Sequence, residues 1–252
     1  MISLSVVVLT KNEEKRITAC LDSVKWADEI IIVDDESSDR TVEFARRYTD
    51  KIFTRKMDVE GIHRNWAYAK AKNTWVLSLD ADEKVSEELR QEINEILSSN
   101  TKFAAFSIPL RNYIGSYWVR HGGWYPAGKV RLFNKNKFKY EEVKVHPRVF
   151  IDGECGHLSK DIIHKGYPDL AHFLDSLNRQ TTWEAEKWFS QKKPMKLGRF
   201  LWRTTDRFFR SYVMKKGYKD GFVGFVVAFY AGFYQFLSYL KYRELTLNKK
   251  ED

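Results

Sequence analysis

The apolar positions of the first hundred residues fall into two alternating rhythms. Ser3–Leu9 is an almost unbroken, β-branched run, the pattern of a strand covered on both faces. Past Thr10-Lys11-Asn12-Glu13-Glu14, the residues Ile17, Cys20, Leu21 and Val24 recur at helical spacing, which predicts a helix opening after the strand. Glu29–Val33 predicts a second strand, and Ser37-Ser38-Asp39 offer capping side chains to a helix through about Tyr48. Lys51–Thr54 predicts a third strand, Gly61–Lys72 a helix and Trp75–Leu79 a fourth strand. Ser86 then caps a helix to about Leu97, with Glu87 and Glu88 in its first turn, where the dipole favours negative charge. This alternation predicts an α/β fold with a mainly parallel sheet.

Beyond residue 100 the rhythm breaks. Pro109, Gly115, Gly122-Gly123, Pro126, Pro147 and Gly153 interrupt short strand-like segments over residues 103–165. An antiparallel excursion is expected there, with long loops carrying Tyr113, Tyr117, Trp118, Trp124 and Tyr125. Asp169–Gln191 predicts a helix with Leu170, Phe173, Leu174 and Leu177 on one face. After Pro194, the stripe Leu197, Phe200, Leu201, Thr204, Phe208 and Tyr212 runs beside Arg199, Arg203 and Arg207, a basic amphipathic helix broken at Gly217 and Gly221. Phe222–Leu240 then runs without a formal charge, about 28 Å as a helix and close to a bilayer core. Gly224, Gly232, Gln235, Ser238 and several tyrosines weigh against a simple span. The row Phe222, Phe225, Val226, Phe229, Phe233, Phe236, Leu237 and Leu240 suits packing on the protein or lying in a membrane interface. These shifts divide the chain into an α/β half (1–100), a second half of the same domain (101–190) and a helical extension (191–252).

Charge sharpens the division. The net charge of +9 comes from the end of the chain, where residues 187–252 carry 15 Lys/Arg against 5 Asp/Glu. Such asymmetry points to an anionic surface, membrane or nucleic acid. Cys20 and Cys155 are too few for a disulfide framework and fit a reducing compartment. No basic segment precedes the first apolar run, so no secretory signal is expected. The histidines show no His-x₃-His or mixed Cys/His spacing, so zinc is not expected.

The candidate chemistry lies where strands end in acids. Glu29–Val33 leads into Asp34-Asp35, and Trp75–Leu79 into Asp80-Ala81-Asp82. In an open α/β sheet such ends meet at one edge, where ligands bind. Strand alternation would point Asp80 and Asp82 the same way. Two converging carboxylates call for a cation, and Mg²⁺ or Mn²⁺ shared with phosphate oxygens meets that need. Asp34-Asp35 can accept hydrogen bonds from a base or ribose, and Arg131 can clamp a phosphate with its guanidinium fork.

The segments Val6-Val7-Val8-Leu9-Thr10-Lys11-Asn12-Glu13, Ile32-Val33-Asp34-Asp35-Glu36-Ser37-Ser38-Asp39, His63-Arg64-Asn65 and Leu77-Ser78-Leu79-Asp80-Ala81-Asp82-Glu83 together resemble glycosyltransferase family 2. Gly123-Trp124-Tyr125-Pro126, Lys129-Val130-Arg131-Leu132-Phe133, Val145-His146-Pro147 and Leu177-Asn178-Arg179-Gln180-Thr181-Thr182 resemble its lipopolysaccharide-core transferases of the WaaE type. The resemblance implies a GT-A fold, Rossmann-like with a mainly parallel sheet, a nucleotide-sugar donor and a divalent metal. It implies that Thr10, Asn12 and Glu13 line the nucleotide pocket and that Asp35 contacts the base or ribose. Arg64 would lie near the diphosphate, and Asp80 and Asp82 would form the metal motif, with Asp82 the direct ligand. Trp124, His146 and Arg131 join the expected substrate contacts. Two departures stand out: Ala127 follows Tyr125-Pro126 where related sequences carry Asp, and Pro147 follows His146 where they carry Glu. An inverting transferase needs a carboxylate to take the acceptor proton, and Glu141 and Glu142 are the substitutes in reach.

The resulting expectation is a metal-dependent inverting glycosyltransferase acting on a membrane-associated glycolipid. It would sit peripherally on the cytoplasmic face of a bacterial inner membrane, a spanning or re-entrant C-terminal segment being the alternative. A nucleotidyltransferase is a second reading, but Thr10-Lys11-Asn12-Glu13 is not the Gly-rich phosphate loop such enzymes use. A nucleic-acid-binding module is a third; the acids at the strand ends argue against it, and no nucleic-acid partner is expected.

Overall fold

A computed structural model describes residues 3–99, 101–143, 147–192 and 195–248. Its contacts divide the chain into two compact units, Met1–Leu110 with Ala127–His164, and Arg111–Pro126 with Lys165–Asp252. In chain order the elements begin β1 (Leu4–Thr10), α1 (Ile17–Asp22), β2 (Glu29–Asp34), α2 (Thr41–Ala45), β3 (Ile52–Thr54) and α3 (Glu60–Ala69). Next come β4 (Trp75–Asp80), β5 (Glu83–Val85), α4 (Glu87–Ser98), β6 (Ala105–Ile114) and β7 (Tyr117–Trp118). β8 (Ala127–Asn134), β9 (Phe138–Tyr140), β10 (Val149–Ile151), β11 (Cys155–His157) and β12 (Ile162–Tyr167) complete the strands. The helices α5 (Leu170–Ser190), α6 (Leu197–Phe209) and α7 (Gly221–Asn248) follow.

The first unit is built on a mixed sheet of order β3-β2-β1-β4-β8-β6-β12-β5, with β11 pairing β6 and β9-β10 a separate hairpin; β7 pairs the end of β6 within the second unit. β3, β2, β1 and β4 run parallel. The pairs β4–β8, β8–β6 and β12–β5 are antiparallel. The unbroken apolar runs of β1, β2 and β4 have a simple cause: both sheet faces are covered. Val6, Val8, Ile32, Leu77 and Leu79 pack with Leu21 of α1 and Leu89 and Ile93 of α4. Their neighbours Val7, Ile31, Val33 and Val76 point to the opposite core with Ala67 and Tyr68 of α3. Each side chain of this size, fully buried, contributes about 1.5–3 kcal/mol.

The alternation expected for residues 1–100 is present, with two helices shorter than their apolar spacing suggests. α1 starts only at Ile17, and the backbone N–H groups of Asn12, Glu13 and Glu14 before it are bonded to Ser37 Oγ (2.8 Å), Thr41 Oγ1 (2.7 Å) and Asp39 Oδ2 (3.1 Å). Asn12 itself turns the chain at φ +54°, a left-handed conformation that asparagine tolerates. Asp39 and Thr41 therefore staple two loops together, and Asp39 Oδ1 also accepts from Thr41 N (3.0 Å) at the start of α2. α2 ends at Ala45, where Arg47 and Tyr48 bond three residues back and tighten the chain out of the α-helix. α4 is capped by Ser86 as expected, its Oγ accepting from Leu89 N (3.2 Å).

In the second unit α7 packs on α5 and α6 through small residues. Gly224, Val227, Ala228, Gly232, Gln235 and Ser238 are buried. A Cβ on Gly232 would stand 2.8 Å from Thr204 O, which explains the close approach of α6 and α7. Of the row that suits either packing or a membrane interface, Phe222, Phe225, Phe229, Phe236 and Leu240 are exposed, Phe222 by 77%. On α6, Phe200 is buried against Tyr239 while Leu197, Leu201, Trp202 and Phe209 are exposed. Arg203 lies over the Trp188 ring of α5, so that member of the arginine row faces protein. α7 is long and apolar enough to cross a membrane.

Gly61 in the first turn of α3 carries the tightest contact of the first unit. A Cβ there would stand 1.8 Å from the carbonyl oxygen of Glu141, and Gly61 N donates to Val143 O at 3.4 Å. Gly61→Ala is expected to destabilise the protein by about 1–3 kcal/mol through overpacking. Thermal unfolding followed by circular dichroism reads this as a drop of several degrees; an unchanged melting temperature would show that residues 141–143 do not rest on α3.

Candidate active site

The carboxyl ends of β1, β2 and β4 lie side by side, with Thr10 in register with Asp34 and Leu9 with Asp80. This edge of the first unit gathers most of the expected residues. Asp34 is buried; Ser37 N donates to its Oδ2 (2.9 Å), and its Oδ1 has no partner among the described residues. Thr10 Oγ1 is likewise buried and unpartnered among them. Asp35 accepts from Lys11 Nζ (2.8 Å) and Met57 N (2.7 Å). Burial works to raise its carboxyl, but the Lys11 and Met57 hydrogen bonds overcome that and hold it below the usual carboxylate range. His63 on α3 is buried and pushed down from its ordinary value by that burial and by Arg55, with Nδ1 unpartnered among the described residues.

Asp80 sits at the end of β4 between two guanidinium groups. Arg131 Nη2 donates to its Oδ2 at 2.7 Å and Arg64 Nη2 to its Oδ1 at 3.3 Å. Arg131 is only 2% exposed and also reaches Glu83 Oε1 (2.5 Å), itself fully buried. Arg64 comes from α3, where Glu60 accepts from its Nε at 3.0 Å. Burial would raise the Asp80 carboxyl, yet Arg131 and Arg64 reverse this and hold it far below its ordinary range. Glu83 moves the other way: burial raises it and Arg131 only partly opposes. Arg64 Nη1 and Arg131 Nε remain buried and unpartnered among the described residues, which leaves donor capacity on both forks.

Asp82 is not on a strand. It lies in the turn between β4 and β5, so the alternation expected to align it with Asp80 does not operate. The turn is closed by Ala81 N to Leu9 O (3.0 Å) and by Asp80 N to Glu83 Oε2 (2.9 Å). Asp82 thereby meets His164 Nε2 of β12 at 3.3 Å, both side chains being about one fifth exposed. The β12–β5 pairing brings them together, with His164 in register with Glu83. Burial would lower the His164 imidazole, but the Asp82 hydrogen bond outweighs it and raises it. Among the described residues no three His, Cys, Asp or Glu gather around one point. Asp82 and His164 offer one carboxylate and one imidazole, a donor pair that suits Mn²⁺ and leaves room for phosphate oxygens. Asp80, expected beside Asp82 as a ligand, has both oxygens engaged by arginine.

The remaining expected residues are placed elsewhere or otherwise used. Asn12 Oδ1 accepts from Ser38 N (2.8 Å), so its side chain braces the loop. Glu13 forms a two-bond pair with Arg16 (2.5 and 2.6 Å), and burial raises its carboxyl despite that pair. Glu141 pairs with Arg148 (2.7 Å), and Glu142, half exposed, with Lys139 (2.8 Å). Trp124 belongs to the second unit, where its ring packs near Tyr167 and Phe173. His146 lies outside the described residues. Sequence reasoning missed Glu83 and the pairing of His164 with Asp82. The first adjoins the acidic motif and was legible as a buried acid only once β5 was known; the second joins positions 82 residues apart.

Removing one partner of a buried ion pair leaves an uncompensated charge and costs about 3–5 kcal/mol. Arg131→Met is expected to lose that much in denaturant unfolding, because Glu83 stays buried. Adding Glu83→Gln should recover part of the loss; a double variant no more stable than the single would show that Glu83 does not depend on Arg131.

The chain matches the sequence profile described as Glycosyl transferase family 2 over residues 5–166. It is 30% identical over 262 residues to an uncharacterized glycosyltransferase of Rickettsia bellii, covering 97% of this chain and 87% of the relative. It is 23% identical over 245 residues to the lipopolysaccharide core biosynthesis glycosyltransferase LpsC of Rhizobium meliloti, covering 94% of this chain and 91% of the relative. Among solved structures, S. aureus TarS 1–349 in complex with UDP aligns over 96% of this chain and 92% of its own, with a TM-score of 0.49 and 17% identity. With a profile match across β1 to β12 and relatives of this kind aligned over nearly the whole chain, the protein belongs to glycosyltransferase family 2.

Proposed function

We propose that this glycosyltransferase is metal-dependent and inverting, and that it moves a sugar from a nucleoside diphosphate to a hydroxyl of a membrane-associated glycolipid of the lipopolysaccharide-core kind. One observation carries the donor side. Three parallel strand ends deliver Thr10, Asp34-Asp35 and Asp80 to one edge, where Arg64 and Arg131 add cationic forks. The acids and Thr10 suit the hydroxyl and N–H donors of a nucleoside, and the guanidiniums suit the oxygens of a diphosphate. Asp82 and His164 would hold Mg²⁺ or Mn²⁺, which supplies charge neutralisation for the departing diphosphate.

The transfer itself asks three things of the chain. A carboxylate takes the proton of the acceptor hydroxyl, whose oxygen forms a bond to the anomeric carbon. The bond from that carbon to the diphosphate oxygen breaks, and the nucleoside diphosphate leaves with the electron pair. Arg64 and Arg131 stabilise the charge that develops on it. Glu142 is assigned as the base, with Glu141 as the alternative. Its hydrogen bond with Lys139 lowers its carboxyl, so it is ionised and able to accept a proton at neutral pH. Both glutamates lie beside Gly61, three residues before Arg64 on α3.

A thermal-shift titration with UDP tests the donor site, since a ligand selective for the native state at 100 times its Kd stabilises by about 2.7 kcal/mol. Wild type is expected to shift with UDP and further with Mn²⁺, Asp82→Ala to lose the metal-dependent part, and Glu142→Gln to keep the whole shift while kcat falls at least about 100-fold. Absence of any nucleotide-dependent shift would sink the reading, and wild-type turnover by Asp82→Ala would remove the metal from it.

The acceptor side rests on the outward aromatic row of α6 and α7 together with the basic tail. Aromatic and aliphatic side chains in the headgroup region with cationic neighbours describe an interfacial helix pair, and each basic residue near anionic lipid contributes about 1 kcal/mol. Phe222→Ser with Phe229→Ser is expected to release the protein from phosphatidylglycerol vesicles in a sedimentation assay at physiological salt. Undiminished pelleting of that variant would rule out this face as the membrane contact.

A further inference from the structure

The second unit holds a cavity of about 500 Å³ whose lining matches none of the roles above. Its walls include Tyr113, Tyr117, Trp118, Arg120, His121 and Lys219, with Asp220 at its base. β6 and β7 form a hairpin that sets Tyr113 opposite Trp118. The chain then continues through Arg120 and His121 onto Asp220, the residue immediately before α7.

Asp220 is the organising group. It is 4% exposed, and its Oδ2 accepts from the backbone N–H of Arg120 (2.9 Å) and of His121 (2.7 Å). Its Oδ1 lies 2.8 Å from His121 Nδ1. The Tyr117 hydroxyl also bonds Asp220, and burial with the Asp220 charge raises that phenol above its ordinary value. A carboxylate held in this way fixes the imidazole plane and its tautomer, with the proton on Nδ1 and Nε2 left for a ligand. These bonds turn both carboxylate oxygens to protein donors rather than to a ligand. Arg120 and Lys219, both exposed, are the remaining ionic groups of the lining, and both are cations. The Arg120 and Arg111 guanidiniums each lie 4.5 Å from the Trp118 ring centroid, which keeps these flexible side chains beside the aromatic wall.

Three aromatic rings, two cations and an oriented imidazole suit one class of ligand. Aromatic faces take the apolar C–H faces of a pyranose while leaving its hydroxyls to polar edges. An arginine fork and an ammonium take a phosphate. A volume of about 500 Å³ falls in the range of small-molecule sites, about 300–1,000 Å³. The geometry points to a binding site in the second unit for a phosphate-bearing saccharide, with Tyr113, Tyr117 and Trp118 against the sugar, Arg120 and Lys219 on the phosphate, and His121 positioned by Asp220. The site deepens the acceptor reading and rests on it: an acceptor glycan carrying phosphate is held by a charge that the unphosphorylated glycan lacks.

Glucose 6-phosphate serves as the probe, with glucose and inorganic phosphate as its separate halves, titrated into the full chain by calorimetry. Saturating UDP and Mn²⁺ are present throughout, so that the donor site is filled. The expected result is binding of glucose 6-phosphate at least 10-fold tighter than of either half. Arg120→Ala with Lys219→Ala should lose that preference while keeping the UDP-dependent thermal shift of wild type. Equal affinity for glucose and glucose 6-phosphate, or unchanged binding in the double variant, overturns the proposal. Loss of the UDP shift in wild type overturns the donor reading, a separate failure. Phosphatidylglycerol vesicles form the last arm: if the double variant loses vesicle binding while glucose 6-phosphate fails to bind wild type, the cations serve a lipid headgroup and the saccharide site is refuted.

Discussion

The edge formed by the ends of β1, β2 and β4 depends on one buried ion cluster. Arg131 reaches from β8 to Asp80 at the end of β4 and to Glu83 at the start of β5, and is almost wholly removed from solvent. Such a cluster is costly to desolvate and a poor source of net stability. Its effect in this fold is geometric. Asp80 N bonds back to the Glu83 carboxylate, so the same acid that receives Arg131 also closes the turn at 81–82. A hydrophobic substitute could fill the volume of Arg131 but could not hold two carboxylates apart. Asp82 points out of the turn toward His164 because Asp80 and Glu83 are both tied inward.

This cluster separates two functions that a sequence reader merges. Asp80-Ala81-Asp82 invites a symmetrical reading in which both acids serve one cation. In the fold the first acid is matched by two protein cations and the second by an imidazole. Arg131, expected as a phosphate clamp, is bonded to carboxylates, with Nε unpartnered among the described residues. The two roles are compatible, because a guanidinium carries five donors and the bonds to Asp80 and Glu83 both use Nη2.

What could be read from the chain follows the range of the forces involved. The strands of residues 1–100 were legible because burial on both faces writes a continuous apolar run, and their acidic ends because a charge cannot continue such a run. The start of α1 was not, since Asn12 is held in a left-handed turn by a loop whose Ser37, Asp39 and Thr41 lie about 25 residues away in sequence. The Asp82–His164 and Arg131–Glu83 partnerships depend on antiparallel register in the later strands, and register leaves little trace where strands are three residues long, as β5 is. On α6 and α7 periodicity gave the helices but left open whether their aromatic rows pack on the protein or lie in an interface. Hydrophobicity ranks phenylalanine above glycine and alanine, yet close helix packing selects the small residues and turns the large ones outward.

The Asp82–His164 pair of the first unit and the Asp220–His121 pair of the second show how burial decides what such a pair can do. The Asp82 side chain is about one fifth exposed and meets His164 across 3.3 Å, so a ligand can draw its carboxylate away from the imidazole. The Asp220 side chain is 2% exposed and held by two backbone N–H groups, so no ligand can claim it. The first pair is therefore suited to exchange a proton donor for a cation. The second is suited only to orient an imidazole, with specificity then falling to the cations and rings around it. The same two residue types thus read as a candidate ligand set in one place and as a positioning device in the other. The difference lies in the solvent that reaches Asp82 and in the backbone donors that fix Asp220.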